Sequence, residues 1–271
     1  MKGISFDSKI CQDLDQALKK EWLETNQFGG SASSTIICAN TRRYHGLLIA
    51  QLKPPLGRFV MLSGIEEILF IDETTYPLST QLYPNTVHPE GYRNLNQFSL
   101  LPFPTWIFQM EDLILAKSVI LMHDEQTVLV RYQILAGDEH LVRLELKPQT
   151  AFRDCNSLAY HNGRLNTNIE SSFGRIRLAG LFFYHNAAIV DQSGSWYRQV
   201  QYPEEKKLNL DFEEDLYSPF RLVYTFLKGR EVFFCASIED YKTVDFQMFV
   251  AREEDRRRRF VNNLSISDLQ L

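Results

Sequence analysis

T-V-L-V-R-Y-Q-I-L-A at residues 127–136 and H-L-V-R-L-E-L-K-P at 140–148 decide the fold. In the first run Val128, Val130, Tyr132 and Ile134 alternate with Leu129, Arg131 and Gln133. In the second, Val142, Leu144 and Leu146 face one way while Arg143, Glu145 and Lys147 face the other. Successive side chains of a strand point to opposite faces, so period two with a short connection predicts a half-buried antiparallel sheet. Leu113–His123 is a further strand run, and Trp106 opens another. The 19 Phe and 12 Tyr of the chain suit strands.

The pattern continues outward on both sides. Asn166–Glu170, Arg175–Ala179 and Leu181–Val190 read as strands, and Trp196–Tyr217 as a strand leading into charged structure. Leu222–Leu227 and Glu231–Ser237 read as a hairpin about Lys228-Gly229-Arg230. On the N-terminal side, Gly46–Leu52 and Phe59–Leu62 are strands parted by a Pro54-Pro55-Leu56-Gly57 turn. Glu66–Asp72 and Thr74–Thr80 form a hairpin with Asp72-Glu73 at the bend. Residues 81–104 carry Pro84, Pro89, Pro102 and Pro104 among aromatics, and read as a long connection. Helical patterns flank the strands. Ser8–Lys20 places Cys11, Leu14 and Leu18 on one face, with Ser8 as cap, and Thr243–Val261 is stopped by Asn262-Asn263. Ser267-Asp268-Leu269-Gln270 then has the form of a capping box, a helix start that reads either as a frayed tail or as the beginning of a continuation. The expected fold is mainly β: a large antiparallel β-sandwich over residues 1–240, with a C-terminal helix and helical linker over 241–271.

Composition narrows the function classes. A hydrophobic content of 44% and a charged content of 23% are those of a globular protein. The net charge of −5 gives no general attraction to nucleic acid or an anionic membrane. The basic run Arg256–Arg259 follows Glu253, Glu254 and Asp255, so helical i,i+4 pairs would neutralise it. Cys11, Cys38, Cys155 and Cys235 lie far apart with no C-x-x-C spacing, which argues against zinc or a redox dithiol. The N-terminus lacks the apolar core of a signal peptide, no apolar run approaches membrane length, and a cytoplasmic address is expected. No nucleophile elbow, Walker loop, dinucleotide fingerprint or H-E-x-x-H metal site occurs, and no cofactor is expected.

The least ordinary stretch is residues 21–50, E-W-L-E-T-N-Q-F-G-G-S-A-S-S-T-I-I-C-A-N-T-R-R-Y-H-G-L-L-I-A. A small, polar loop is followed by Asn40, Thr41, Arg42, Arg43, Tyr44 and His45, between two apolar runs. Guanidinium forks and amides suit hydroxyl-rich or anionic ligands, and Tyr offers a flat face with a polar tip. Equally, paired arginines at strand ends make ordinary ion pairs, and a lone His is commonly a bonded structural residue.

This stretch resembles the N-terminal domain of bacterial and archaeal-type glycogen debranching enzymes, the amylo-α-1,6-glucosidases. Matches follow in order at Pro54-Pro55-Leu56-Gly57-Arg58, Pro89-Glu90-Gly91-Tyr92, Pro102-Phe103-Pro104-Thr105-Trp106, Arg153-Asp154 and Glu214-Asp215-Leu216-Tyr217-Ser218-Pro219. The resemblance implies a supersandwich like that of glucoamylase N-terminal domains, followed by a catalytic (α/α)6 toroid. Glycoside hydrolysis needs two carboxylates flanking the bond, and the resemblance puts them in the toroid, so no catalytic residue is assigned here. The domain would support the toroid, in cis or in trans, and shape an α-glucan cleft for α-1,6 branch hydrolysis of glycogen or branched maltodextrin. Alternatives are a stand-alone α-glucan-binding or regulatory module, or a structural domain without sugar binding. Candidates for glucan contact or the domain interface are Asn40, Thr41, Arg42, Arg43, Tyr44, His45, Tyr92, Trp106, Arg153 and Asp154. An uncovered apolar face would favour a homodimer. Two departures stand out: Asn156 where the family pattern has His, and Glu205-Lys206-Lys207-Leu208 where it has Glu followed by Arg-Gly.

Overall fold

The computed structural model describes residues 3–52, 57–137, 140–161, 163, 165, 167–226 and 230–267, with side chains as far as Phe260. The Pro54-Pro55-Leu56 turn, the Lys228-Gly229 turn and Asp268-Leu269-Gln270 of the capping box lie outside the described residues. In chain order the elements begin with β1 (Ser5–Asp7), α1 (Ser8–Cys11), α2 (Leu14–Ala17), β2 (Glu21–Thr25), β3 (Ser31–Thr35), β4 (Gly46–Gln51), β5 (Arg58–Ile71) and β6 (Thr74–Pro77). Next come β7 (Thr80–Tyr83), β8 (Thr86–Glu90), a 3-10 turn at Gly91–Asn94, β9 (Leu95–Ser99), β10 (Thr105–Met110), β11 (Leu113–Leu121), β12 (Thr127–Ala136) and β13 (Val142–Asp154). The chain continues through β14 (Glu170–Ser172), β15 (Arg175–Leu178), β16 (Leu181–His185), β17 (Ile189–Asp191), β18 (Ser195–Gln201) and α3 (Pro203–Lys207). It closes with β19 (Glu213–Ser218), β20 (Arg221–Thr225), β21 (Val232–Ser237) and α4 (Phe246–Ser267).

The fold is mainly β and antiparallel, with one long C-terminal helix. One sheet runs β1-β9-β10-β11-β12-β21-β16-β15-β14, and the other β17-β20-β13-β5-β4-β3-β2 with β6, β18 and β19 attached. The two alternating runs that announced the fold are both central strands, but of different sheets. β12 lies between β11 and β21, whereas β13 lies between β5 and β20. Val128, Val130 and Tyr132 therefore meet Leu144 and Leu146 in one core between the layers instead of standing beside them. The same crossing corrects two other readings. Leu181–Val190 is two strands, β16 and β17, in separate sheets. Asn186 sits at the break, accepting from Phe233 N–H (2.8 Å) and donating to Glu231 O (2.9 Å). Likewise β20 and β21 are no hairpin, since each is paired within its own sheet.

Residues 81–99 are largely regular where a connection was expected: β7 and β8 form a hairpin, and β9 joins the first sheet, leaving 100–104 as the connection. Phe59–Leu62 and Glu66–Asp72 fuse into the single 14-residue β5. The N-terminal helix divides in two because Asp13 acts as a second N-cap, its Oδ1 accepting from Gln16 N–H at 3.0 Å. Asp7, not Ser8, caps the first turn.

Between the layers, Trp106 contacts Trp22 edge-on (5.5 Å) and Phe98 (5.1 Å), and its Nε1–H donates to Ile36 O at 2.6 Å. Lys117, on the inward face of β11 with Leu113, Leu115, Val119 and Leu121, pairs with the buried Glu67 of β5 at 2.8 Å. α4 covers the outer face of the first sheet, where Phe249 and Val250 pack with Ile120, Leu129 and Phe233. It runs through Asn262-Asn263 without stopping. Of the expected i,i+4 pairs only Asp255–Arg259 forms (2.6 Å). Arg257 instead reaches Glu24 of β2, and Glu253 accepts from His123 N–H at 2.9 Å, so tertiary contacts outcompete the helix-surface pairs. Among the described residues no helix is long and apolar enough to cross a membrane.

At one end of the sandwich His140 bridges two turns, Nδ1 to Asp72 Oδ2 (3.0 Å) and Nε2 to Asp112 Oδ1 (3.0 Å). Both partners are carboxylates, so the ring serves both as the imidazolium, and these contacts raise its pKa. A raised histidine stabilises fully below its unfolded value of about 6.5, and the contribution is lost as pH rises through the folded value. The lowered Asp72 sets the acid limit, because its share is lost as pH falls through its depressed pKa. His140→Gln should therefore melt below the wild type at pH 5–6 and together with it at pH 9. A gap independent of pH would remove the clasp.

Candidate functional site

The N-T-R-R-Y-H segment is the turn between β3 and β4, and most of it is spent on holding itself. Thr35 Oγ1–H donates to Ala39 O (2.7 Å), and Cys38, at φ 58°, makes the reversal. Asn40 is clamped at both ends: Oδ1 accepts from Ser34 Oγ–H (2.8 Å), and Nδ2–H donates to Ser63 O (3.0 Å). Thr41 N–H donates to His45 Nδ1 at 3.2 Å. That bond fixes the histidine tautomer, with the proton on Nε2. Burial pushes the His45 pKa down to about 4, so the ring is neutral at pH 7. Its Nε2 lies 3.7 Å from Glu21 Oε1, which also accepts from Arg42 Nε–H at 2.8 Å.

Behind the turn lies a buried lock. Arg153, near the end of β13, donates to both oxygens of Glu214 on β19 and, through one terminal nitrogen, to Arg43 O (2.7 Å). The Tyr202 hydroxyl donates to the same carboxylate, as does Ala159 N–H (3.0 Å). Burial together with this negative neighbour raises the Tyr202 pKa well above the usual phenol range. α3 supplies a second brace. Glu205, itself buried, accepts from Arg43 N–H (3.2 Å), and Glu204 N–H donates to Thr41 O (3.0 Å).

Of the residues singled out by sequence, the structure gathers Asn40 through His45 with Arg153. Asp154 adjoins them, its Oδ1 accepting from the backbone N–H of the exposed Asn156 (2.8 Å). Thr41, His45 and Arg153 are buried; Asn40, Arg42 and Arg43 are partly exposed, and Tyr44 is 45% exposed. Tyr92 and Trp106 are elsewhere. Tyr92 is buried in the 3-10 turn, its N–H held by Thr80 Oγ1 (3.0 Å), and Trp106 is enclosed between the sheets, so neither offers a ring face to a ligand. Glu21, Tyr202, Glu205 and Glu214 were missed as members of the cluster. Three of them sit in segments the sequence reading had already set apart: Glu21 and Glu214 in motif matches, and Glu205 in a departure.

In front of the turn, the outward faces of β2, β3 and β4 form a cleft of about 340 Å³ that includes Glu21, Leu23, Ser33, Tyr44 and Arg58. Among the described residues no group of three or more His, Cys, Asp or Glu could hold a metal ion.

The family model described as glycogen debranching enzyme N terminal matches residues 20–233, a span that holds the turn, its lock and the cleft. The chain belongs to the glycogen debranching enzyme N-terminal family. No curated protein matches it. Among solved structures it is similar to a bacterial glucoamylase complexed with acarbose, at 9% identity and a TM-score of 0.39. The match covers 91% of this chain and 36% of the glucoamylase, so the chain corresponds to about a third of that protein's length. Within the family's matched span, the motif arginines divide their work. Arg153 is wholly internal, whereas Arg42 and Arg43 anchor one edge to Glu21 and Glu205 and leave the other to solvent.

Proposed function

We propose that this domain serves glycogen debranching without catalysing it. It packs on a catalytic toroid, in cis or in trans, and lends the motif turn to an α-glucan cleft in which α-1,6 branches are hydrolysed. The observation that carries this reading is how the turn is built. Asn40, Thr41, His45, Arg153 and Glu214 are consumed in bracing, and what they hold outward is Arg42, Arg43 and Tyr44 beside an open cleft. Guanidinium donors and an exposed phenol ring match the hydroxyls and apolar ring face of a sugar. Two flanking carboxylates at ~5–9.5 Å are required for hydrolysis. Glu205 and Glu214, the acids nearest the lock, are buried in hydrogen bonds and unavailable for it.

Leu23, 61% exposed beside Tyr44, favours a second reading in which the same face is the packing surface for the toroid. Co-sedimentation with glycogen, coupled to an assay of released glucose, tests both. The expected outcome is sedimentation with no glucose released. Release of glucose by this chain alone would overturn the non-catalytic role. Failure to sediment would remove the sugar and leave the packing surface.

A further inference from the structure

We infer that the glucan is held on the cleft floor of β2–β4, beside the turn that carries Tyr44; this rests on the glucan-binding reading above. Register places the floor. Leu23 pairs with Ser33, Ser33 with Gly46, and Ser31 with Ile49, so these positions share the outward face of the sheet. Gly46 lets β4 pack closely behind this face, since a Cβ there would lie 3.1 Å from Val60 Cγ1 and Leu62 O. Tyr44 stands at one side as an exposed ring.

Polar groups aimed into the hollow are unspent. Ser31 and Ser33 are 6% and 7% exposed, yet no side-chain hydrogen bond among the described residues engages either hydroxyl. The Arg58 guanidinium, also lining the cleft, enters no hydrogen bond or ion pair of the described residues. Neither hydroxyl is among the buried atoms left without a partner, so both open on the cleft, where they can bond the hydroxyls of a ligand. Glu21 is already paired with Arg42, and His45 is neutral with its Nε2–H on the Glu21 side. A polyhydroxyl chain meets donors, acceptors and a ring in this hollow. The hollow falls within the roughly 300–1,000 Å³ of ordinary small-ligand sites, at about 340 Å³.

Calorimetric titration with a branched maltodextrin tests the placement. Ser33→Leu fills the floor and Tyr44→Ala removes the ring; each should weaken binding about tenfold or more, equal to ~1.4 kcal/mol. Tyr44→Phe should bind as the wild type. Phe173→Ala, which removes an exposed ring from the β14–β15 turn of the other sheet, controls for unspecific stacking and should change nothing. Melting temperatures of all variants are measured alongside, so that loss of fold is not read as loss of site. If the wild type saturates while Ser33→Leu and Tyr44→Ala bind equally well, the glucan lies elsewhere on the domain and only this placement fails. If the wild type itself shows no saturable heat at millimolar ligand, the glucan-binding reading fails with it.

Discussion

Replacing Arg153 with alanine destabilises the chain by about 3–5 kcal/mol, the usual cost of removing one partner from a buried ion pair. The magnitude follows from what is left behind. Glu214 is fully buried and keeps only the Tyr202 hydroxyl and Ala159 N–H, and Arg43 O loses its donor. An unpaired carboxylate in such a place costs more than the pair itself is worth, so Arg153→Met combined with Glu214→Leu should recover much of the loss. Chemical denaturation of the wild type and these two variants reads this directly. Equal loss in the single and double variants would mean that the lock contributes through its geometry and not through its charge. Because Arg153 also holds the Arg43 carbonyl, the single variant should loosen the motif turn as well as the core, lowering glucan affinity in protein that remains folded.

Lys117→Met should be comparably damaging, again about 3–5 kcal/mol. Lys117 lies between the sheets with its ammonium 2.8 Å from Glu67, 3.6 Å from Cys38 Sγ and 5.1 Å from the centre of the Trp106 ring. Burial alone would lower its pKa, but Cys38 and Glu67 together hold it above the ordinary value, so it is charged. Methionine fills the volume but leaves the Glu67 carboxylate with the Tyr132 hydroxyl and no cation. Lys117→Met/Glu67→Gln should be the more stable protein, and the double-mutant cycle should show strong coupling. Independent, additive losses would contradict the pairing.

Both effects come from residues whose roles the sequence shows only in outline. Lys117 shares parity with Leu113, Leu115, Val119 and Leu121, so strict period-two counting places a lysine on the inward face. What that counting lacks is the partner, since Glu67 is on the opposite sheet and 50 residues away. The strands themselves were legible because alternation is local. Their assignment to sheets was not, because crossing between layers and turning back within one both need only a short connection. Thus β12 and β13, and β20 and β21, read as neighbours, and β16 and β17 as one strand, yet each pair is divided between the two sheets.

The site was legible in the same partial way. Residues 40–45 stand apart in the sequence as a polar cluster, but such a cluster does not say which members face inward. Thr41 and His45 turn in to brace the loop, and Arg153 and Glu214 arrive from distant strands to lock it. Tyr92 and Trp106 are aromatic like a sugar platform, but each is satisfied by local packing and hydrogen bonds. In the sequence Ser31 and Ser33 stand within the small, polar loop that precedes the cluster. Their register opposite Leu23, Gly46 and Ile49, which makes them a floor, is tertiary information.

Hydrogen–deuterium exchange with and without saturating branched maltodextrin tests the account most directly. It predicts ligand-dependent protection in residues 21–35 and 41–46, with α4 and the β14–β16 end of the first sheet unchanged. Unaltered exchange across 21–46 in the presence of ligand, or protection confined to another face, would contradict it.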